Sequence, residues 1–224
     1  MSLHTPTDPS RTAGFLRLVG TMLLAAFVAQ AASAQQNDDM VFAAVNDRAS
    51  LIKELLGKGV DPNAVDAKGE PVLVIAARNN SAAAVDALLA GGAKVNARSP
   101  FGDSALMTAA LAGNIEIAKK LRQRGAELEG PAWTPLIYAA TGGHEAMVLY
   151  LLAEGANINA ASPNGTTALM MAIREGKGPV VSLLMTKGAD VNKRNQNGAT
   201  ALSWAKRGNE KAIAEALQRA GATE

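Results

Sequence analysis

The sequence contains no cysteine, only two histidines and just 4% aromatic residues. Without cysteine there is no disulfide, no thiolate nucleophile and no attachment residue for the lipid-anchored form of bacterial export. Zinc requires three or four clustered ligands, and dispersed carboxylates with the two histidines His4 and His144 do not supply them. Excess charge is also lacking, with 22 basic against 20 acidic residues. A chain that neutralises phosphates needs a basic stripe, so nucleic acid and acidic membrane surfaces are not expected as partners. The glycine-rich stretches at 58–63, 91–96 and 187–192 (KGVDPN, GGAKVN, KGADVN) each close an apolar segment. A phosphate loop must instead open a helix, with its amides aimed at the anion. No cofactor, metal or catalytic group is therefore expected, and an enzyme is the least favoured class.

About half of the residues, 48%, are apolar, as in a soluble globular or solenoid protein. The first 34 residues stand apart. Arg11 and Arg17 precede the run LVGTMLLAAFVA at 18–29, and Ala-Ser-Ala follows at 32–34. This is the layout of a secretory signal peptide cleaved between Ala34 and Gln35. A membrane span needs about 20 apolar residues, against twelve here, which leaves an uncleaved anchor as the alternative. Processing leaves 20 basic and 19 acidic residues, in a monomer destined for a bacterial periplasm. Residues 35–37 read as a linker, and Asp38 and Asp39 as a solvated start and helix N-cap.

The rest of the chain is periodic. Gly59, Gly92, Gly125, Gly155, Gly188 and Gly221 are separated by 33, 33, 30, 33 and 33 residues. Leu73, Leu106, Leu136, Leu169 and Leu202 keep the same phase. Within each unit a glycine turn (Gly69, Gly102, Gly165, Gly198) comes just before Ser104, Thr167 or Thr200, with Thr134 at the same place in the unit that lacks the glycine. These hydroxyls are N-cap residues for a short helix. Alanine pairs at 76–77, 109–110 and 139–140 let that helix approach its neighbours. A second helix shows an apolar stripe, as in Val85, Leu88 and Leu89 or Met147, Val148, Leu151 and Leu152. The recurring glycine then closes it.

Units such as GTTALMMAIREGKGPVVSLLMTKGADVNK (165–193) and WTPLIYAATGGHEAMVLYLLAEGANINA (133–160) resemble ankyrin repeats. The resemblance covers residues 38–224 and predicts an all-α repeat solenoid: about six stacked helix pairs, the first and last acting as caps with polar outer faces, joined by short β-hairpin fingers. The family's histidine after the motif leucine is replaced by Val74, Met107, Ile137, Met170 and Ser203, which predicts apolar packing in place of a polar link. His144 stands where such repeats often carry a histidine between helices, a structural position. Between Gly125 and Leu136 three residues are missing, so the finger joining the third and fourth units is expected to be stunted.

The resemblance also implies that partner proteins contact the fingertips and the exposed part of each first helix, along a concave surface. Transferred to this chain, the finger positions include Asp66, Lys68, Glu70, Pro100, Phe101, Asp103, Trp133, Asn164, Thr166, Gln196 and Asn197. The helix positions are Arg78, Leu111, Thr141, Arg174 and Arg207. Phe101 and Trp133 are expected to be exposed anchors, since binding hot spots favour large aromatics. Tyr138 and Trp204 are expected to pack internally. The function these features predict is a periplasmic protein-binding scaffold that supports or protects another exported protein.

Overall fold

The computed structural model describes residues 33–130 and 133–224. The leader reading falls on residues that lie almost wholly outside the described ones. Residues 33–45 form a helix, α1, so residues 35–37 are helical where a linker was expected. Asp38 and Asp39 lie inside α1 and do not cap it, and Asp39 accepts a hydrogen bond from the Gln35 side-chain Nε2 at 3.3 Å.

Eleven further helices follow: α2 (Ala49–Gly57), α3 (Val72–Arg78), α4 (Ala82–Ala90), α5 (Ala105–Ala112), α6 (Ile115–Gln123), α7 (Pro135–Gly142), α8 (Glu145–Ala153), α9 (Ala168–Arg174), α10 (Gly178–Thr186), α11 (Ala201–Arg207) and α12 (Lys211–Arg219). With α1 they form six consecutive pairs. The hydroxyls of Ser104, Thr134, Thr167 and Thr200 each accept the amide three residues on, at 3.3 Å, and so open α5, α7, α9 and α11. Pro71 opens α3 without such a bond. The glycines closing the second helices adopt φ between 83° and 96°, a left-handed conformation that costs a residue without Cβ little.

First helices stack on first helices, α3 on α5, α5 on α7, α7 on α9 and α9 on α11, and each packs against its own second helix. The motif leucines Leu73, Leu106, Leu136, Leu169 and Leu202 are buried in this layer, and the three alanine pairs are wholly enclosed. Each buried leucine contributes about 1.5–3 kcal/mol by leaving water. Val74, Met107, Ile137 and Met170 are buried at the substituted histidine position, as the sequence predicts. Ser203 behaves differently: its hydroxyl accepts the Thr200 amide at 2.9 Å, completing a reciprocal cap.

A ladder of side chains ties each unit to the next. Asn63 accepts the Lys94 amide, Asn96 that of Glu127, Asn159 that of Asp190 and Asn192 that of Thr223, at 2.7–2.9 Å. The third rung is Glu129, which accepts the Asn157 amide at 2.9 Å. These bonds give the Gly-Ala-x-x-Asn endings a physical role.

Three fingers carry an isolated antiparallel bridge, Val65 with Pro71, Arg98 with Ser104 and Ala161 with Thr167. A fourth, at 195–199, is closed by the Asn195 amide on the Ala199 carbonyl at 3.0 Å. Between units three and four, residues 130–133 stand where 97–103 stand one unit earlier, and no bridge forms there among the described residues. Instead the Nε2 of His144 lies 2.9 Å from the Leu111 carbonyl oxygen, bonding α5 to the start of α8. The outer face of the first unit departs from expectation, because Phe42 (56% exposed) and Val45 (41%) project from α1.

Candidate functional site

Two positions recur on every first helix and build the face beside the fingers. The first, four residues after the N-cap, holds Ile75, Thr108, Tyr138, Met171 and Trp204. The second, three residues further, holds Arg78, Leu111, Thr141, Arg174 and Arg207. One helical turn separates them, so both positions lie on the same side.

Along the first half of the array this face is occupied by its own side chains. Arg78 grips Glu70 with both terminal nitrogens, one at 2.5 Å, and that hydrogen bond raises the guanidinium pKa against the opposing effect of burial. Asp103 accepts the Tyr138 hydroxyl. Burial, and then that bond, push the Tyr138 phenol well above its ordinary range, so the group stays neutral and donates.

The second half is open. A hollow of about 220 Å³ is lined by Leu111, Trp133, Tyr138, Thr141, Met171 and Arg174. The next, of about 300 Å³, is lined by Ile173, Arg174, Trp204, Arg207, Gly208 and Glu210. Arg174 borders both. It meets Glu175 through Nε at 2.9 Å and Nη2 at 2.8 Å. Arg207 is exposed and makes no ion pair among the described residues.

Four of the expected contact residues, Leu111, Trp133, Thr141 and Arg174, thus meet in one hollow, and Arg207 lies in the next. The others are dispersed. Lys68 and Asn164 sit on separate exposed tips, where the Asn164 carboxamide oxygen accepts the Thr166 amide at 3.1 Å. Phe101 is 87% exposed on its finger, away from both hollows. Asp103 is committed to Tyr138 and Arg78 to Glu70.

Two expectations are corrected. Trp133 is half-buried against the core, its ring edge-on to Tyr138 with centroids 6.3 Å apart at 83°. Because the finger lost its tip, Trp133 directly precedes the N-cap, as Glu70 precedes Pro71 and Asp103 precedes Ser104, and that place lies at a finger's base. Thr166 holds the same place one unit later and is buried, where a fingertip contact was expected.

Tyr138 and Trp204 pack against the core as expected, and the surface they leave exposed walls the hollows. The signal was available in the sequence: the position four after the cap changes from Ile75 and Thr108 to the aromatic Tyr138 and Trp204, with Met171 between them.

Among the described residues no group of three or more histidines or acids is placed to hold a metal ion, and no helix is long and apolar enough to cross a membrane. Repeated capped helix pairs, the motif leucines and the ladder define the architecture, and the family profile described as ankyrin repeats (3 copies) matches residues 40–132, 84–162 and 136–223. The chain belongs to the ankyrin-repeat family. This ankyrin-repeat chain is also 46% identical over 57 residues to human Ankyrin repeat and KH domain-containing protein 1 and 44% identical over 57 residues to Ankyrin repeat and KH domain-containing protein mask of Drosophila melanogaster. Those segments cover 25% of the chain but only 2% and 1% of the relatives, so the likeness concerns the repeats alone. Ankyrin repeats typically mediate binding to other proteins.

Proposed function

We propose that this protein is a non-catalytic scaffold that binds a segment of another exported protein on the face formed by the first helices and fingers. The adjoining hollows that share Arg174 carry this reading. They offer apolar walls with a few polar groups, the composition of a recognition surface. A repeat fold hosts many activities, so the surface and not the fold carries the function.

Export to a periplasm follows from the apolar run at 18–29 and the Ala-Ser-Ala at 32–34. Cleavage after Ala34 is compatible with the fold, since the buried residues of α1, Met40, Ala43 and Ala44, all lie downstream. N-terminal sequencing of the exported protein is expected to begin at Gln35, and an intact leader would instead make the chain a tethered envelope module.

The binding reading is tested by capturing a saturable partner from periplasmic extract with the purified chain. Replacing Leu111 and Arg207 together by alanine is expected to weaken capture by about 2 kcal/mol, the scale of an interface hot spot. Replacing the exposed Leu149 on α8, a second helix, is expected to leave capture unchanged. The opposite pattern removes the first-helix face from consideration.

A further inference from the structure

The two halves of the first-helix face differ in what they leave available. Around units two and three, the Arg78 guanidinium is taken up bidentately by Glu70 and the Asp103 carboxylate by Tyr138. A ligand arriving there must break an existing bond before forming its own. Around units four to six, the large side chains Tyr138, Met171 and Trp204 wall two hollows that stand empty of protein. The exposed cation between them is Arg174, whose paired atoms are Nε and Nη2, both directed at a single oxygen of its sequence neighbour Glu175. Arg207, on the rim of the second hollow, is unpaired among the described residues.

The chemistry this arrangement selects is specific. The hollows take apolar side chains, which gain by leaving water. The guanidinium between them takes a carboxylate in planar, bidentate fashion. The Glu210 carboxylate on the far wall of the second hollow disfavours a second acidic group there. The hollows belong to successive first-helix junctions, and packed helices lie about 8–10 Å apart. An extended chain of polyproline-II form rises about 3.1 Å per residue and turns once in three, so side chains three residues apart share a face and span about that distance.

We propose that the face between α7 and α11 binds an extended peptide segment in which two apolar side chains, three residues apart, flank one acidic residue. The apolar pair enters the two hollows and the carboxylate meets Arg174. This rests on the reading of the first-helix face as the binding face, and adds to it the location and the ligand's chemistry.

The test selects peptides from a random displayed library on the immobilised full chain, then measures synthetic fluorescent copies by anisotropy. The selected sequences are expected to share an acidic residue between two apolar residues three apart. Exchanging that Glu for Gln in the peptide weakens binding to the unaltered protein about tenfold, the scale of one hydrogen bond to a charged group. Arg174→Glu produces a similar loss, recovered by a peptide with Lys at the acidic place, and Trp204→Phe keeps the wall while Trp204→Ala lowers affinity. Arg78→Ala leaves affinity within about twofold, as expected for a side chain outside the contact. Selected peptides without the acidic residue, binding indifferent to Arg174→Glu, or a library that yields no binder each overturn the proposal. Binding that is lost on Arg78→Ala or Phe101→Ala instead overturns it while keeping the first-helix face, and indifference to every one of these changes removes both.

Discussion

The Glu129 carboxylate accepts the Asn157 backbone amide at 2.9 Å, filling the rung that asparagine fills at 63, 96, 159 and 192. A carboxylate substitutes for a carboxamide because the bond needs only an oxygen acceptor. Glu129→Ala is expected to cost about 0.5–1.5 kcal/mol, the net value of one such bond. Hydrogen exchange at the Asn157 amide should accelerate while the Glu127 amide, held by Asn96, keeps its rate. Equal acceleration at both amides would show that the rungs do not act locally.

Leu169 is buried between stacked first helices, whereas Asn164 lies exposed on a finger. Leu169→Ala is expected to cost about 2–5 kcal/mol through lost burial and the cavity left behind. Asn164→Ala removes one local acceptor and is expected to cost no more than about 1 kcal/mol. Urea denaturation of the two variants reads the difference.

Gly142 lies in α7, where alanine ordinarily improves a helix by about 0.5–1 kcal/mol. Here a Cβ would come within 2.6 Å of the Leu111 carbonyl oxygen and 2.5 Å of the His144 ring. The backbone carbonyl cannot swing away as a flexible side chain does, so Gly142→Ala is expected to destabilise by about 1–3 kcal/mol. A raised melting temperature would contradict this close approach.

The phenol of Tyr138 is pushed up by burial and by its bond to Asp103, and that of Tyr150 by burial and the nearby Glu154. Folding thus favours the neutral form of both. Their contribution to stability is complete below the ordinary tyrosine pKa of about 10 and is lost as pH rises through the higher folded values. Absorbance at 295 nm is expected to show native tyrosines ionising later than urea-unfolded ones, and Asp103→Asn to bring part of the native titration back down.

The period, the caps and the buried leucines were legible because each is a local rule repeated: a hydroxyl opening a helix, a glycine closing one, an apolar stripe between. His144 was likewise legible as structural, and its contact with Leu111 bears that out. The individual contact residues were less so, since a fingertip and a finger base differ only by what the chain does around them. Trp133 has the look of a tip where three residues are missing, yet its place directly before the N-cap at Thr134 puts it at the finger's base. Likewise Arg78 and Arg174 occupy equivalent places in sequence, yet Glu70 engages the first from the finger's base while, among the described residues, Arg174 is met by its neighbour Glu175.

Among the first helices from α3 onward, packing is most extensive between α5 and α7, beside the shortened finger, and least between α9 and α11. A repeat array holds together through nearest neighbours, and its terminal unit has only one. The second hollow straddles that sparsest junction, with Ile173 and Arg174 on one side and Trp204 and Arg207 on the other. A peptide lying there touches both units at once and adds contacts where the chain supplies fewest. Occupancy and order at the end of the array are therefore linked: a bound segment acts as a splint, slowing amide exchange in α11 and α12.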